Sequence, residues 1–279
     1  MFINIRYLVV TLIAVFMALG IGILIGFQLD SNAIILRQQT ELIASLESTF
    51  DNLTQTNQTL RTEVDNLQNI LEQKRVFSEN IATEYLRYKL DGLNIVIIEA
   101  SEDLLYPYLK NTLQMAGANI NASVVITDKV LAIDKIEQPS VAPISKSIVD
   151  SIAFGQTEGI KQLEQQGFVQ VSGNFDIAPD FVILVGGNNT KTNKLETVDI
   201  PLIRELKKTS IRIVGVERSD IEHSCMECYQ KEGISTVDNV DTIIGQTSLV
   251  LIMTGKEGNY GIKASANALL PYADKEELW

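Results

Sequence analysis

The stretch Leu93-Asn-Ile-Val-Ile-Ile98, directly after Asp91-Gly92, decides the fold. It is short, dominated by β-branched residues and apolar on both alternating faces, as expected of a strand buried on both sides of a parallel sheet. Similar runs recur downstream. A strand is expected near Ile120 to Thr127, another at Phe181 to Val185 ending in Gly186-Gly187, a fourth at Ile211 to Val216, and a short one near Ile234 to Val237. Helical patterns lie between them. Ser101 is placed to cap a helix with Leu105, Tyr108, Leu109, Leu113 and Ala116 on one face, stopped by Gly117. Pro201 sits in the first turn of a helix carrying Ile203 and Leu206. Ser219 and Glu222 read as a capping box for a short helix, and Asp238 and Asp241 as helix starts. Residues 128–178 read mainly as helices and loops broken by Pro139 and Pro143, and Leu249 to Met253 fits helix or strand. Strands alternating with helices define a Rossmann-like α/β domain with a mostly parallel sheet. Such short, apolar strands argue against a membrane β-barrel, which needs in/out alternation over about ten residues per strand.

Upstream of Gly92 the period is different. From residue 31 an apolar seam repeats at heptad spacing. Positions a fall at Leu36, Ile43, Phe50, Asn57, Val64 and Leu71, and positions d at Gln39, Leu46, Leu53, Leu60, Leu67 and Lys74. Nine of these twelve are apolar, and neither proline nor glycine interrupts the segment, so a coiled coil of more than five heptads is expected. Asn57 at an a position specifies a parallel dimer and its register. The narrow seam weighs against the bland alternative, a long helix folded back on the globular domain.

Further upstream, Tyr7 to Leu29 are 23 residues without a charge. As a helix they span roughly 34 Å, enough to cross a hydrocarbon core of about 30 Å. The run exceeds a usual signal-peptide h-region and lacks a clean Ala-x-Ala site, which favours an uncleaved anchor. Arg6 precedes the run and Asp30 follows it, so the positive-inside rule puts the N-terminus in the cytoplasm and the rest outside. Ala14, Ala18, Gly22 and Gly26 form a small-residue stripe that lets two helices approach closely. The organisation expected is a cytoplasmic tip and transmembrane helix over 1–29, a parallel dimeric coiled-coil stalk over 30–90, and an extracytoplasmic α/β domain over 91–279, in the cytoplasmic membrane of a bacterium. Dimerisation falls to Ala18, Gly22, Gly26, Leu46, Leu53, Asn57, Leu60 and Leu67.

The formal net charge of −12 argues against nucleic acid and against a basic membrane-surface protein. A single histidine, His223, excludes a multi-histidine metal site within one chain, and two cysteines exclude a disulfide scaffold. Parallel sheets bind ligands at strand C-terminal ends, which here carry Ser101, Gly186, Gly187, Asn188, Glu217, Asp238 and Asp241. The Gly186-Gly187 pair can bring backbone amides to an anion or simply turn the chain. Asp238 and Asp241 can share a cation or cap helices. Neither GxGxxG, GxxxxGK[ST] nor GxSxG occurs, and no nucleophile has a plausible base, so the protein reads as no enzyme. In His223-Ser-Cys225-Met-Glu-Cys228 the two cysteines share one helix face. Three readings stay open: a local disulfide or idle thiols, a redox pair, and half a metal site of Cys225, Cys228 and His223, completed by another chain and suited to a soft ion such as Cu(I).

Five stretches in order carry a resemblance over nearly the whole chain: Val15-Phe-Met-Ala-Leu-Gly-Ile-Gly-Ile-Leu-Ile-Gly26, Phe181 to Gly187, Gly215-Val-Glu-Arg-Ser-Asp220, Ser235-Thr-Val-Asp-Asn-Val-Asp241 and Gly255-Lys-Glu-Gly-Asn-Tyr-Gly261. The chain resembles the bacterial MctB family, which includes SteB-type envelope proteins. The resemblance implies an envelope protein associated with copper transport or homeostasis, with copper as its ion. One member is described as an outer-membrane channel, yet one membrane helix without a polar lining makes no pore alone. SteB-type relatives imply a scaffold for cell division or cell-wall assembly, working through a SteA-like protein or other envelope partners. The resemblance supplies no metal-ligand set, and the CxxC is not part of its shared pattern.

Overall fold

The computed structural model describes residues 5–99, 106–130, 142–271 and 273–274. The chain divides into two units, Met1–Lys74 and Arg75–Trp279. Helix α1 runs Ile5–Leu86, 82 residues without a break. Within the first unit its segment Ile5–Phe27 is apolar and long enough to cross a bilayer. Further along, Ile43, Leu46, Phe50, Leu53, Leu60, Val64, Leu67 and Leu71 are all exposed. Thr40, Thr49, Thr59 and Thr62 each donate a hydroxyl to the carbonyl four residues back, which satisfies these polar side chains on the helix surface.

The second unit is a mixed α/β domain. In chain order the elements after α1 are β1 (Asn94–Glu99), α2 (Pro107–Met115), β2 (Asn119–Ile126), α3 (Ala142–Phe154), α4 (Thr157–Gln165), β3 (Val169–Gly173), β4 (Phe181–Val185), α5 (Ile200–Leu206), β5 (Arg212–Val216), α6 (Met226–Lys231), β6 (Ser235–Val237), α7 (Ile243–Met253), β7 (Asn259–Tyr260), β8 (Ala268–Leu270) and β9 (Ala273–Asp274). The strands form one sheet in the order β3-β2-β1-β4-β5-β6-β7-β8-β9. Only the β2–β3 and β8–β9 pairs are antiparallel. The order reverses between β1 and β4, where ligand crevices open in doubly wound sheets.

The double burial inferred from the apolar strands is visible residue by residue. Val96, Ile98, Val182 and Leu184 face a core built with α3, α4, α5 and α6. Ile95, Ile97, Phe181, Ile183 and Val185 face the opposite core, formed with α2 and α7. The end of α1 joins this second core through Leu86, and Leu90 follows it. Full burial of such side chains contributes about 1.5–3 kcal/mol each. Tyr88 takes φ 59 and Gly92 φ 79, which stops the helix and turns the chain into β1. Asp180 fixes the central register: its carboxylate accepts from the Asn94 amide at 2.8 Å, and its own amide donates to the Asn94 carbonyl at 2.8 Å.

Several expectations are corrected here. The segment read as helices and loops contains β3, whose Val169 is buried while Gln170 is exposed. That alternation is the mark of an edge strand with one covered face. Pro143 does not break a helix; it lies in the first turn of α3, where a missing N–H costs nothing. Ser219 and Glu222 build no capping box, because the Asp241 carboxylate accepts from both the Ser219 amide and hydroxyl at 2.6 Å each. The helix starts later, at Met226. Asp238 and Asp241 begin no helix either. Asp238 accepts from the amides of Ile262 and Lys263, and α7 is capped by Thr242, whose hydroxyl accepts from the Gly245 amide. The run Leu249 to Met253 is helical. The cap assigned to Ser101, together with Leu105 and Pro139, lies outside the described residues.

Candidate functional site

A pocket of ≈160 Å³ opens at the C-terminal end of β4. Four residues singled out in the sequence line it together: Gly187, Asn188, His223 and Cys225. Two backbone bonds draw them close, from Asn188 N to the His223 carbonyl at 3.2 Å and from His223 N to the Asn188 carbonyl at 2.9 Å. The Gly187 amide points at Cys225 Sγ, 3.3 Å away, and the Gly186 amide donates to the Val216 carbonyl at 2.9 Å. Both glycine amides are therefore engaged within the fold. Gly186 has another role. A Cβ there, or on Gly215 in β5, would run into the Tyr229 ring, so these two positions leave room for a buried aromatic lying across neighbouring strands.

Tyr229 holds the pocket's acid. Its hydroxyl donates to Asp199 Oδ2 at 2.6 Å. Asp199 ends a π-helical turn, Leu195–Asp199, that leads into α5; such turns frequently sit at functional sites. The residue is 2% exposed. Burial pushes its carboxyl up to about 7, against the lowering effects of the Tyr229 hydrogen bond and the Lys194 charge. Lys194 is buried as well, and its ammonium donates to the Ile126 carbonyl at 3.2 Å and pairs with Asp128 at 3.4 Å. Cys225 carries a thiol that burial, and secondarily the Asp199 charge, push up to about 12, so it is protonated at neutral pH.

Glu217, at the end of β5, is the pocket's rear support. It is fully buried and accepts from Ser224 Oγ at 2.5 Å, the Cys225 amide at 3.0 Å and Lys263 Nζ at 2.7 Å. These bonds set the start of α6 and with it the place of Cys225 and Tyr229.

The remaining sequence candidates lie elsewhere. Asp238 and Asp241 are taken by the turn bonds described above. Cys228 is half-buried on α6 and does not line the pocket; both cysteines are free thiols. Ala18, Gly22, Gly26, Leu46, Leu53, Asn57, Leu60 and Leu67 are all exposed on α1. Sequence reasoning missed Asp199, Tyr229 and Lys194. One signal was present: a glycine lies just past the apolar strand β4, at Gly186, and another inside the apolar strand β5, at Gly215, a sign that something large approaches there.

Among the described residues, no three His, Cys, Asp or Glu side chains come together as a group that could hold a metal ion. His223 is exposed, while the Cys225 sulfur faces the Gly187 amide.

The elements define a mixed α/β protein with a polar pocket at its strand ends and an N-terminal helix apolar and long enough to cross a membrane. The chain matches, over residues 2–142 and 144–271, the family described as copper transport outer membrane protein, MctB, and it belongs to that family. No curated protein matches the chain.

Proposed function

We propose that this protein is a non-enzymatic, singly anchored envelope protein that works as a parallel homodimer and presents its α/β domain outside the cytoplasmic membrane. The observation carrying this reading is the uncovered heptad seam on α1, with Leu46, Leu53, Leu60 and Leu67 all exposed to solvent. Leucines repeating at d positions gain their burial from a second helix. Arg6 ahead of the apolar run and Asp30 after it support an N-terminus in the cytoplasm. Gly22 and Gly26 have open space where a Cβ would stand, which suits close approach of a second membrane helix. The family supports a role in copper transport or homeostasis, served by the domain rather than by a pore.

The test uses the full chain in lipid nanodiscs with Cys225 and Cys228 replaced by serine and a single Leu60→Cys. Mild oxidation is expected to give a covalent dimer at d position 60 and none from an exposed off-seam position such as Gln58→Cys. A chain that stays monomeric in both would sink the reading.

A second reading is a SteB-like scaffold for cell division or cell-wall assembly, recruiting a SteA-like protein or other envelope partners. It is favoured by the observation that, among the described residues, no three His, Cys, Asp or Glu side chains gather into a metal site. Cu(I) titration against a bicinchoninate competitor separates the two: stoichiometric binding supports a direct copper role, and none supports the scaffold. A thiol-redox role for Cys225 and Cys228 is weakened by the buried, protonated Cys225.

A further inference from the structure

Asp199, which lines the pocket at the end of β4, carries a buried carboxylate oxygen without a hydrogen-bond partner among the described residues. Tyr229 occupies Oδ2 of Asp199, while Oδ1 has no hydrogen-bond partner among the described residues. An unmet buried polar atom is costly, and native folds seldom leave one without a water, ion or ligand in reach. The surroundings are built to keep this oxygen where it is. Two strands give up a side chain, at Gly186 and Gly215, to admit the ring that holds Asp199. Glycine within or beside a strand costs stability, so the arrangement is not an accident of a loop.

Charge defines what fits. Lys194 lines the pocket and gives two of its three donors to Ile126 O and Asp128, acting on Asp199 through its charge without a hydrogen bond to it. Asp199 is the one acidic side chain among the described lining residues. The floor therefore offers a buried acceptor whose ionised form is disfavoured by burial, and a cationic donor would stabilise that form. The mouth is the opposite: Thr190, Lys191 and Thr192 bring hydroxyls and an exposed ammonium. An anion alone would leave Asp199 Oδ1 facing no donor. An amine alone would leave the Lys191 ammonium and the threonine hydroxyls at the mouth to solvent.

We propose that this pocket binds a small zwitterion of the amino-acid class, its ammonium donating to Asp199 Oδ1 on the floor and its carboxylate facing Lys191 and the threonine hydroxyls at the mouth. The ≈160 Å³ available restricts the ligand to a compact one. The site does not use the heptad seam, so it stands or falls separately from the dimer.

The experiment is saturation-transfer NMR on the full-length protein in nanodiscs, with empty nanodiscs subtracted and three probes: glycine, acetate and methylammonium. Glycine is expected to receive saturation, with acetate and methylammonium binding about fivefold more weakly or worse. Asp199→Asn keeps the shape and an acceptor for Tyr229 but removes the charge, and it should weaken glycine about tenfold or more. Lys191→Glu, an exposed change that leaves the fold alone, should weaken it about fivefold. Glycine affinity unchanged in Lys191→Glu or in a folded Asp199→Asn overturns the proposal. So does acetate binding as tightly as glycine, which makes the pocket an anion site, and so does no glycine signal at all.

Discussion

The Tyr229 hydroxyl reaches Asp199 Oδ2 at 2.6 Å across space left by Gly186 and Gly215. One bond thus links the start of α5, the middle of α6 and the ends of β4 and β5. Both partners are buried, so the bond is shielded from water and each group depends on the other for a partner.

Tyr229→Phe should therefore destabilise the domain by about 1–3 kcal/mol, because Asp199 Oδ2 is left buried without its donor. Urea unfolding should show a lower midpoint with an unchanged slope. An unaltered midpoint would mean that water reaches the carboxylate.

Gly215→Ala should cost about 1–3 kcal/mol by driving a methyl into the Tyr229 ring. In the double variant Gly215→Ala/Tyr229→Leu the two costs should fall short of their sum by about 1 kcal/mol or more. Simple additivity would show that the backbone, rather than the ring, absorbs the methyl.

The raised carboxyl of Asp199 has a pH signature. The ordinary value is 3.8, and in the folded domain it is about 7. Between these the folded chain keeps a proton that the unfolded chain has released. Stability therefore falls as pH rises through that window, by up to about 1.4 kcal/mol per pH unit, and levels off on either side. Asp199→Asn removes the slope, so its stability relative to the parent should climb from pH 4 to pH 7. Parallel urea profiles for the two proteins across this range would contradict the assignment.

The two thiols should react unequally. Cys225 is buried and protonated, and Cys228 is half-buried. Iodoacetamide at pH 8 is expected to add one group to the native protein, at Cys228, and two in urea, as read by intact mass and peptide mapping. Two adducts under native conditions would mean that the start of α6 opens readily.

Lys263→Met should cost about 2–4 kcal/mol, because Glu217 is fully buried and loses the ammonium that pairs with it at 2.7 Å. Lys263→Arg should recover part of that loss. Thermal unfolding of the three proteins gives the ranking.

Much of the domain is legible because its strands are buried on both faces. Phe181 to Val185 and Leu93 to Ile98 are continuous apolar runs that suit neither a loop nor an amphipathic helix, and they fall on β4 and β1. β3 was hidden because Val169-Gln-Val-Ser-Gly173 has only two apolar residues and lies at an edge. The capping box failed for a different reason. Ser219 and Glu222 satisfy the local pattern, but Asp241, far along the chain, takes both donors of Ser219. The pocket was half legible. Rules about strand ends led to Gly187 and Asn188, and the odd CxxC drew attention to Cys225. Nothing local says that Asp199, ahead of Ile200-Pro201, turns inward instead of capping a helix, since that depends on a tyrosine 30 residues away.

The central β1–β4 pairing also dictates a timetable. Asn94 and Asp180 meet across 86 positions of sequence, so β1 leaves the ribosome well before its inner neighbour exists. At about 5–20 residues per second the wait is roughly 4–17 s. During that interval β1 has only β2 to pair with, and one of its flanks stays open. The α1 segment is finished earlier and closes its backbone hydrogen bonds locally, before the sheet can close. A nascent chain of this protein thus acquires its helix first and its sheet last, and a stall between residues 99 and 181 would leave an apolar strand in need of a chaperone.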